Sequence, residues 1–175
     1  MSDSPKNEIH ACILAGGLSS RMGEEKAGMM LGRRTLLQIA ERKVADWPCM
    51  IIREDVVPRC GPIGGIITGF AQCEAERILF LPCDMPFVSS GLLQDLANEA
   101  GACADQDGLA GFPMVISRSA EPTIRELHAR DEYSLQRLVR ELDLKRVACA
   151  DPGRELFNIN TPEDFEKAKR ISEAG

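Results

Sequence analysis

Short apolar runs alternate with segments of helical periodicity along this chain, and that alternation restricts the folds open to it. IHACIL, residues 9–14, reads as a strand and leads into a glycine-rich loop. RRTLLQIAERKVADW, residues 33–47, places Leu36, Leu37, Ile39, Ala40 and Val44 on one helical face. CMIIRED then reads as a second short buried strand. GPIGGIITGFAQCEAE reads as a loop entering a helix, with Pro62 suited to the first turn. RILFLPCDMP is a strand that stops at Pro82, and SSGLLQDLANEAG supplies a serine cap and a helix. GLAGFPMVIS is a strand that Pro113 assigns toward a sheet edge, because proline cannot donate to a ladder. Helical spacing returns in SAEPTIRELHARD and YSLQRLVREL, KRVACA supplies another strand, and NTPEDFEKAKRIS begins as a capped helix with Thr161, Pro162 and Asp164 in place. Strands alternating with helices predict an α/β architecture, a mostly parallel sheet covered on both faces.

Size and charge narrow the function classes. With 175 residues the chain is expected to form one domain over residues 9–175, preceded by a polar tail, residues 1–8. That tail, MSDSPKNE, lacks the apolar core of a signal peptide, and no apolar run approaches the roughly 18 residues that span a bilayer. The formal net charge is −6 and no basic block exceeds RR or KR, so a nucleic-acid footprint is not expected. A local cationic pocket for a small anion stays open. Seven scattered cysteines form no C-x-x-C pair and read as buried, reduced thiols of a cytoplasmic protein.

In open α/β sheets, ligands bind outside the carboxyl ends of the strands. Three loops at such ends carry polar chemistry. LAGGLSSRMGEEK, residues 14–26, is neither a P-loop, since Glu24 follows Gly23, nor G-x-G-x-x-G. Gly16 and Gly17 would let backbone N–H groups approach an anion, with Arg21 and Lys26 adding charge. A tight turn carrying two solvated cations accounts for the same residues. PCDMPF holds Asp84 between two prolines after an apolar strand, a rigid mounting for one carboxylate. Mg²⁺ is commonly anchored by one or two carboxylates plus substrate phosphates, although an aspartate here would also suit a helix cap. In FNINTPED, Asn158 and Asn160 point the same way if the segment is extended. Their amides could orient a phosphate or a water, or simply serve turn chemistry. GPIGGI allows close backbone approach either to a base or ribose or to the sheet.

Taken together and in this order, LAGGLSSRMGEEK, GPIGGI, PCDMPF and FNINTPEDF resemble the nucleotidyltransferases that handle sugars and cofactors, and within them the molybdenum cofactor guanylyltransferase (MobA-type) family. The resemblance runs from residue 9 to about residue 170. The LAGG form and the GP before GGI are similar to the guanylyl-transferring branch. The resemblance implies a three-layer Rossmann-like nucleotidyltransferase fold with a mostly parallel sheet. It also implies GTP and molybdopterin as substrates, transfer of GMP to the molybdopterin phosphate with release of pyrophosphate, Mg²⁺ as cofactor, and molybdoenzyme maturation proteins as partners. Residue by residue, Leu14, Ala15, Gly16 and Gly17 match the family's nucleotide loop, Lys26 its lysine and Arg21 its phosphate-facing arginine. Asp84 matches the metal-binding aspartate, Asp55 the aspartate shortly before GP, and Asn158 and Asn160 the acceptor-side asparagines.

Two departures bear on specificity. Between Leu37 and Gly61 the chain is shorter than the family pattern, and Trp47 and Pro48 run almost directly into CMIIRED. The missing unit carries a family contact to the base. The family's histidine–proline pair before GFPM is also absent. A related nucleotidyltransferase using another nucleotide or acceptor, such as CTP with molybdopterin, therefore stays open. So does an accessory protein that binds nucleotide or pterin without turnover.

Overall fold

The computed structural model describes residues 9–16, 26–57 and 60–174. Its centre is a six-stranded sheet in the order β4-β1-β5-β7-β6-β8. Here β1 is Ile9–Leu14, β4 is Cys49–Ile52, β5 is Arg77–Pro82, β6 is Ala102–Gln106, β7 is Leu109–Ser117 and β8 is Lys145–Ala148. A separate two-stranded ribbon pairs β2, Met30–Leu31, with β3, Arg34–Thr35. β4, β1 and β5 are parallel, β7 runs antiparallel to both β5 and β6, and β8 is parallel to β6. The sheet is therefore mostly parallel, as expected: β7 alone among its strands runs against the other five.

Alternation along β1 and β5 divides the interior into two layers, as a period of two requires. Ile9, Ala11 and Ile13 with Leu79 and Leu81 face α1, Leu36–Lys43, and α3, Ser90–Ala97. Cys12, Ile78 and Phe80 face the other way, against α2, Gly61–Gln72, α4, Glu121–Ala129, and α5, Leu135–Glu141. Two further helices complete the chain, α6 over Pro152–Glu155 and α7 over Pro162–Glu173. Leu36, Leu31, Ile159 and Ala168 form a smaller apolar cluster that seats α7 beside α1.

The helices begin where local chemistry says they should. Thr35 and Gln38 form a capping box at α1, and Thr161 and Asp164 another at α7; each satisfies N–H groups that the first turn leaves without partners. On α1, Leu36, Ala40 and Val44 are buried, while Leu37 and Ile39 are only partly covered. α1 lies on one face and α2 on the other, because β4 flanks β1 on one side and β5 on the other. The chain thus reverses direction across the sheet at β1, and in open α/β sheets ligands bind beyond the carboxyl ends of the strands at such a point, here β1 and β5.

Three expectations need correction. Pro113 does not mark an edge, since β7 lies between β5 and β6. Pairing with β5 ends at Met114, and the ladder to β6 skips Phe112 and Pro113 where the register shifts between Cys103 and Ala104. The missing proline donor thus falls in a bulge, where no ladder bond is lost. The strand β6 was not expected, because ACADQ lacks β-branched and aromatic residues. Pairing on both sides holds it, and Asp107 and Gly108, both with positive φ, make the hairpin turn that joins it to β7. The ribbon β2–β3 likewise went unread. As for the shortened segment, Pro48 accepts from Ala11 N–H just before β4, and β4 forms the sheet edge among the described residues.

Gly69 shows how tightly α2 meets the sheet. A Cβ there would lie 2.5 Å from Cε1 of the fully buried Phe80. Gly69→Ala is expected to lower stability by about 1–2 kcal/mol in urea denaturation, because overpacking outweighs the helical gain of losing a glycine.

Candidate functional site

Leu14 of β1 is registered with Pro82 of β5, so both strands release their chains at the same height. Cys83 N–H donates to the Leu14 carbonyl at 3.1 Å and keeps the two exits together. Asp84 follows at once. Its carbonyl accepts from Ile159 N–H at 2.9 Å, which draws the segment between α6 and α7 against the Asp84 turn. Ile159 is fully buried, and its neighbours Asn158 and Asn160 are exposed, as extended alternation dictates. Lys26 opens a 3₁₀ turn, Lys26–Gly28, and reaches the same point. Its ammonium donates to Asp84 Oδ2 at 3.1 Å and to Asn160 Oδ1 at 3.2 Å. Residues drawn from three distant stretches of sequence meet there.

The electrostatics of this cluster centre on Asp84. Its side chain is only 18% exposed, and Oδ1 is buried without a hydrogen-bond partner among the described residues. Burial pushes the carboxyl above the usual aspartate range; the charge and hydrogen bond of Lys26 and a bond from its own backbone N–H oppose that shift. A buried carboxylate oxygen without a donor is costly, and it retains lone pairs for a hard cation or a further N–H. The helix-cap reading of Asp84 is excluded, because α3 is capped by Ser89, whose Oγ accepts from Leu92 N–H at 3.1 Å. Asn160 is held from behind. Asp164 Oδ2 accepts from Asn160 N–H at 3.0 Å and from Thr161 N–H at 2.9 Å, and the bond from Asn160 leads the causes that lower the Asp164 carboxyl.

The glycines have packing roles. A Cβ on Gly16 would lie 2.3 Å from the Arg53 carbonyl oxygen, so this position passes against the chain leaving β4 and admits only glycine. That contact is a packing reason for glycine here, independent of any role toward an anion. Gly17 and Arg21 lie outside the described residues. In GPIGGI, a Cβ on Gly64 would meet Asp55 Oδ2 at 2.9 Å, and one on Gly65 would meet Leu14 Cδ2 at 3.0 Å. The double glycine therefore makes room for Leu14 and Asp55 on the first turns of α2.

Asp55 is exposed at the rim, and partial burial pushes its carboxyl up. The segment after it is pinned to the helix by Thr68, whose Oγ1 accepts from Val56 N–H at 2.9 Å and donates to the Gly64 carbonyl at 2.8 Å. Ala15 N–H continues the β1–β4 ladder onto the Ile52 carbonyl at 2.8 Å. Lys26, Asp84 and Asn160 are thus joined directly, with Leu14, Ala15, Gly16 and Asp55 beside them around the ends of β1 and β4. Asn158 shares the outward side with Asn160 but makes no hydrogen bond to the Lys26–Asp84 pair. Sequence reasoning read the serine cap of α3 but passed over Glu155, which binds that serine across the same turn; Asp151-Pro152, a capped helix start, was the available signal for α6.

Among the described residues no three His, Cys, Asp or Glu side chains converge as a metal cage. A cation at Asp84 would accordingly draw ligands from water and substrate oxygen, which suits magnesium better than a structural transition metal. No helix among the described residues is long and apolar enough to cross a membrane.

Comparison with known proteins agrees with this arrangement. The model of the MobA-like NTP transferase domain matches residues 11–53 and 40–147. A probable molybdenum cofactor guanylyltransferase of Trichormus variabilis is 30% identical over 190 residues, covering 91% of this chain and 89% of that protein. The molybdenum cofactor guanylyltransferase of Pseudomonas fluorescens is 25% identical, covering 98% of this chain and 99% of its own length. Among solved structures, molybdopterin-guanine dinucleotide biosynthesis protein A of Archaeoglobus fulgidus superposes with a TM-score of 0.78 at 19% identity, covering 95% of this chain and 100% of that one. Fold, register and sequence lead to one assignment: the chain belongs to the MobA-like NTP transferase domain family.

Proposed function

We propose that this chain transfers GMP from GTP to the terminal phosphate of molybdopterin and releases pyrophosphate. The observation that carries this reading is the meeting of Lys26, Asp84 and Asn160 at the carboxyl ends of β1 and β5, with Asp84 Oδ1 buried and unpartnered among the described residues. The names of the relatives supply the substrates.

Asp84 is the residue to hold Mg²⁺, and a magnesium ion there would supply positive charge beside the α-phosphate. Lys26 belongs to the leaving group: its ammonium lies within reach of Asp84 and would neutralise charge on pyrophosphate. By resemblance Arg21 serves the same end, and Leu14, Ala15, Gly16, Gly17 and Asp55 surround the nucleoside. Asn158 and Asn160 border the acceptor side.

The nucleophile needs no base from the protein. A phosphate monoester has a second pKa of about 6 and is already largely dianionic at neutral pH. His10 bonds toward Cys73 Sγ at 3.4 Å, and His128 lies against Tyr133; neither contacts Asp84. Rate then comes from alignment and charge neutralisation.

A second reading, the same chemistry with another nucleoside triphosphate or acceptor, is favoured by one observation. β4 is the sheet edge among the described residues, so the outer unit that the family uses at the base is not there to select guanine.

A thermal-shift panel with GTP, CTP, ATP and UTP, each with Mg²⁺, tests both. GTP is expected to give the largest shift, and Asp84→Ala is expected to abolish both that shift and pyrophosphate release. A larger shift with CTP would favour the second reading, and full activity of Asp84→Ala would overturn the metal assignment. Lys26→Ala is expected to slow transfer at least tenfold, or roughly 1.4 kcal/mol; an unchanged rate would make Lys26 a surface charge.

The raised carboxyl of Asp84 also sets pH behaviour. Transfer needs it ionised, so activity should fall with decreasing pH at a point above the ordinary aspartate value of about 3.9. Stability moves oppositely. The folded chain binds this proton more tightly than the unfolded one, so the contribution is present below the unfolded value and lost as pH rises through the folded one. Ligand-free Asp84→Asn is therefore expected to melt no lower than the parent at pH of about 7.5, because its amide oxygen still accepts from Lys26. A clearly lower melting temperature would contradict this.

A further inference from the structure

The turn that carries Asp84 runs from the end of β5 to Ser89 at the start of α3. Its near end is fixed by Cys83 N–H on Leu14 and by Ile159 N–H on Asp84. Its far end is fixed by a residue outside the cluster, Glu155 on α6. Glu155 Oε2 accepts from Ser89 N–H at 3.3 Å and from Ser89 Oγ, while Oε1 accepts from Asp151 N–H at 3.3 Å. Glu155 is 8% exposed, and among the described residues only Thr68 is another buried polar side chain.

Lys43 at the end of α1 donates to the Val88 carbonyl, one residue before Ser89. Burial lowers the Lys43 ammonium, and attraction to Glu155 raises it again. For Glu155 itself burial acts upward, but hydrogen bonds from Ser89, Asp151 and Ala150 outweigh it and hold the carboxyl below its usual range. An anion, its cation and the end of the Asp84 turn thus form one unit.

Helix capping alone does not explain this carboxylate. Ser89 already caps α3 through its Oγ, and Asp151 caps α6 by accepting from Arg154 N–H. A buried charge costs more than an apolar side chain of the same volume unless its geometry is needed. Beyond those caps, Glu155 ties the far end of the Asp84 turn, at Ser89, to the chain that leads from α6 to Asn160, alongside the ring contact of Phe87 with Phe157. The backbone bond of Ile159 to Asp84 and the Lys26 contacts to Asp84 and Asn160 lie a few residues further along both segments.

We propose that Glu155 is a positioning residue, which by holding Ser89 sets the Asp84 turn against the Ile159–Asn160 segment. The proposal rests on the reading of Asp84 as the working carboxylate. Glu155→Gln conserves size but places an amide N–H₂ against either Ser89 or Asp151, where the wild-type carboxylate meets donors on both sides.

The test measures amide hydrogen exchange by NMR on the full ligand-free chain, together with Mn²⁺ binding in the presence of GTP. In E155Q the Ile159 amide is expected to exchange at least tenfold faster, with Phe80 and Leu81 of β5 unchanged. The apparent affinity for Mn²⁺ is expected to fall at least fivefold. Unchanged exchange at Ile159 would overturn the proposal, as would equal acceleration at Phe80 and Leu81, which would make Glu155 a general stabiliser. A parent that binds neither GTP nor Mn²⁺ would overturn the proposed function, while the exchange comparison still judges Glu155. Should E155Q not fold, S89A removes the hydroxyl from the other end, and the same pattern at Ile159 is required of it.

Discussion

The parallel pairing of β1 with β5 is the interaction on which the rest of the molecule depends. Its register sets Leu14 opposite Pro82, and the bond from Cys83 to Leu14 carries the alignment one step past the ladder. Asp84 therefore emerges beside the exit of β1, within reach of Lys26. A slip by one residue would also exchange the layers, moving Leu79 and Leu81 to the face now held by Ile78 and Phe80. The apolar alternation that builds the core thus fixes the height of the site as well.

Charge at this site is managed locally. Asp84 loses water on most sides, and the Lys26 ammonium compensates it at one oxygen while the other oxygen has no donor among the described residues. Such an arrangement costs stability and leaves the carboxylate ready to accept a cation. Behind it, the buried Glu155 has both carboxylate oxygens engaged, and the half-buried Lys43 ammonium lies near enough for attraction. The two carboxylates thus differ: both oxygens of Glu155 meet donors, whereas Asp84 meets Lys26 at Oδ2 alone among the described residues.

Much of the architecture was legible because the signals are local. IHACIL, RILFLP and the capped starts at Thr35, Ser89 and Thr161 state their structure within a few residues. ACADQ was illegible for the opposite reason: its small and polar residues become a strand only through partners on both sides. Pro113 misled because a rule about edges gave way to a bulge, which depends on how β6 is registered. In the site, Lys26, Asp84 and Asn160 could be selected singly from their loops, yet their contacts span up to 134 positions of sequence. Gly16 and Gly64 also sit where the chain or Asp55 comes too close for a side chain, a packing demand that only the folded neighbours reveal.

The sequence by itself determined which segments become strands and helices, and which loops carry carboxylate, amide and ammonium groups. Those properties follow from periodicity, capping and turn chemistry, all of which act over a few residues. Only the tertiary structure decided that Lys26 spans Asp84 and Asn160, that Asp84 Oδ1 lacks a donor among the described residues, and that Glu155 grips the turn from behind. These depend on strand register and on the removal of water, and neither exists until distant segments have packed together.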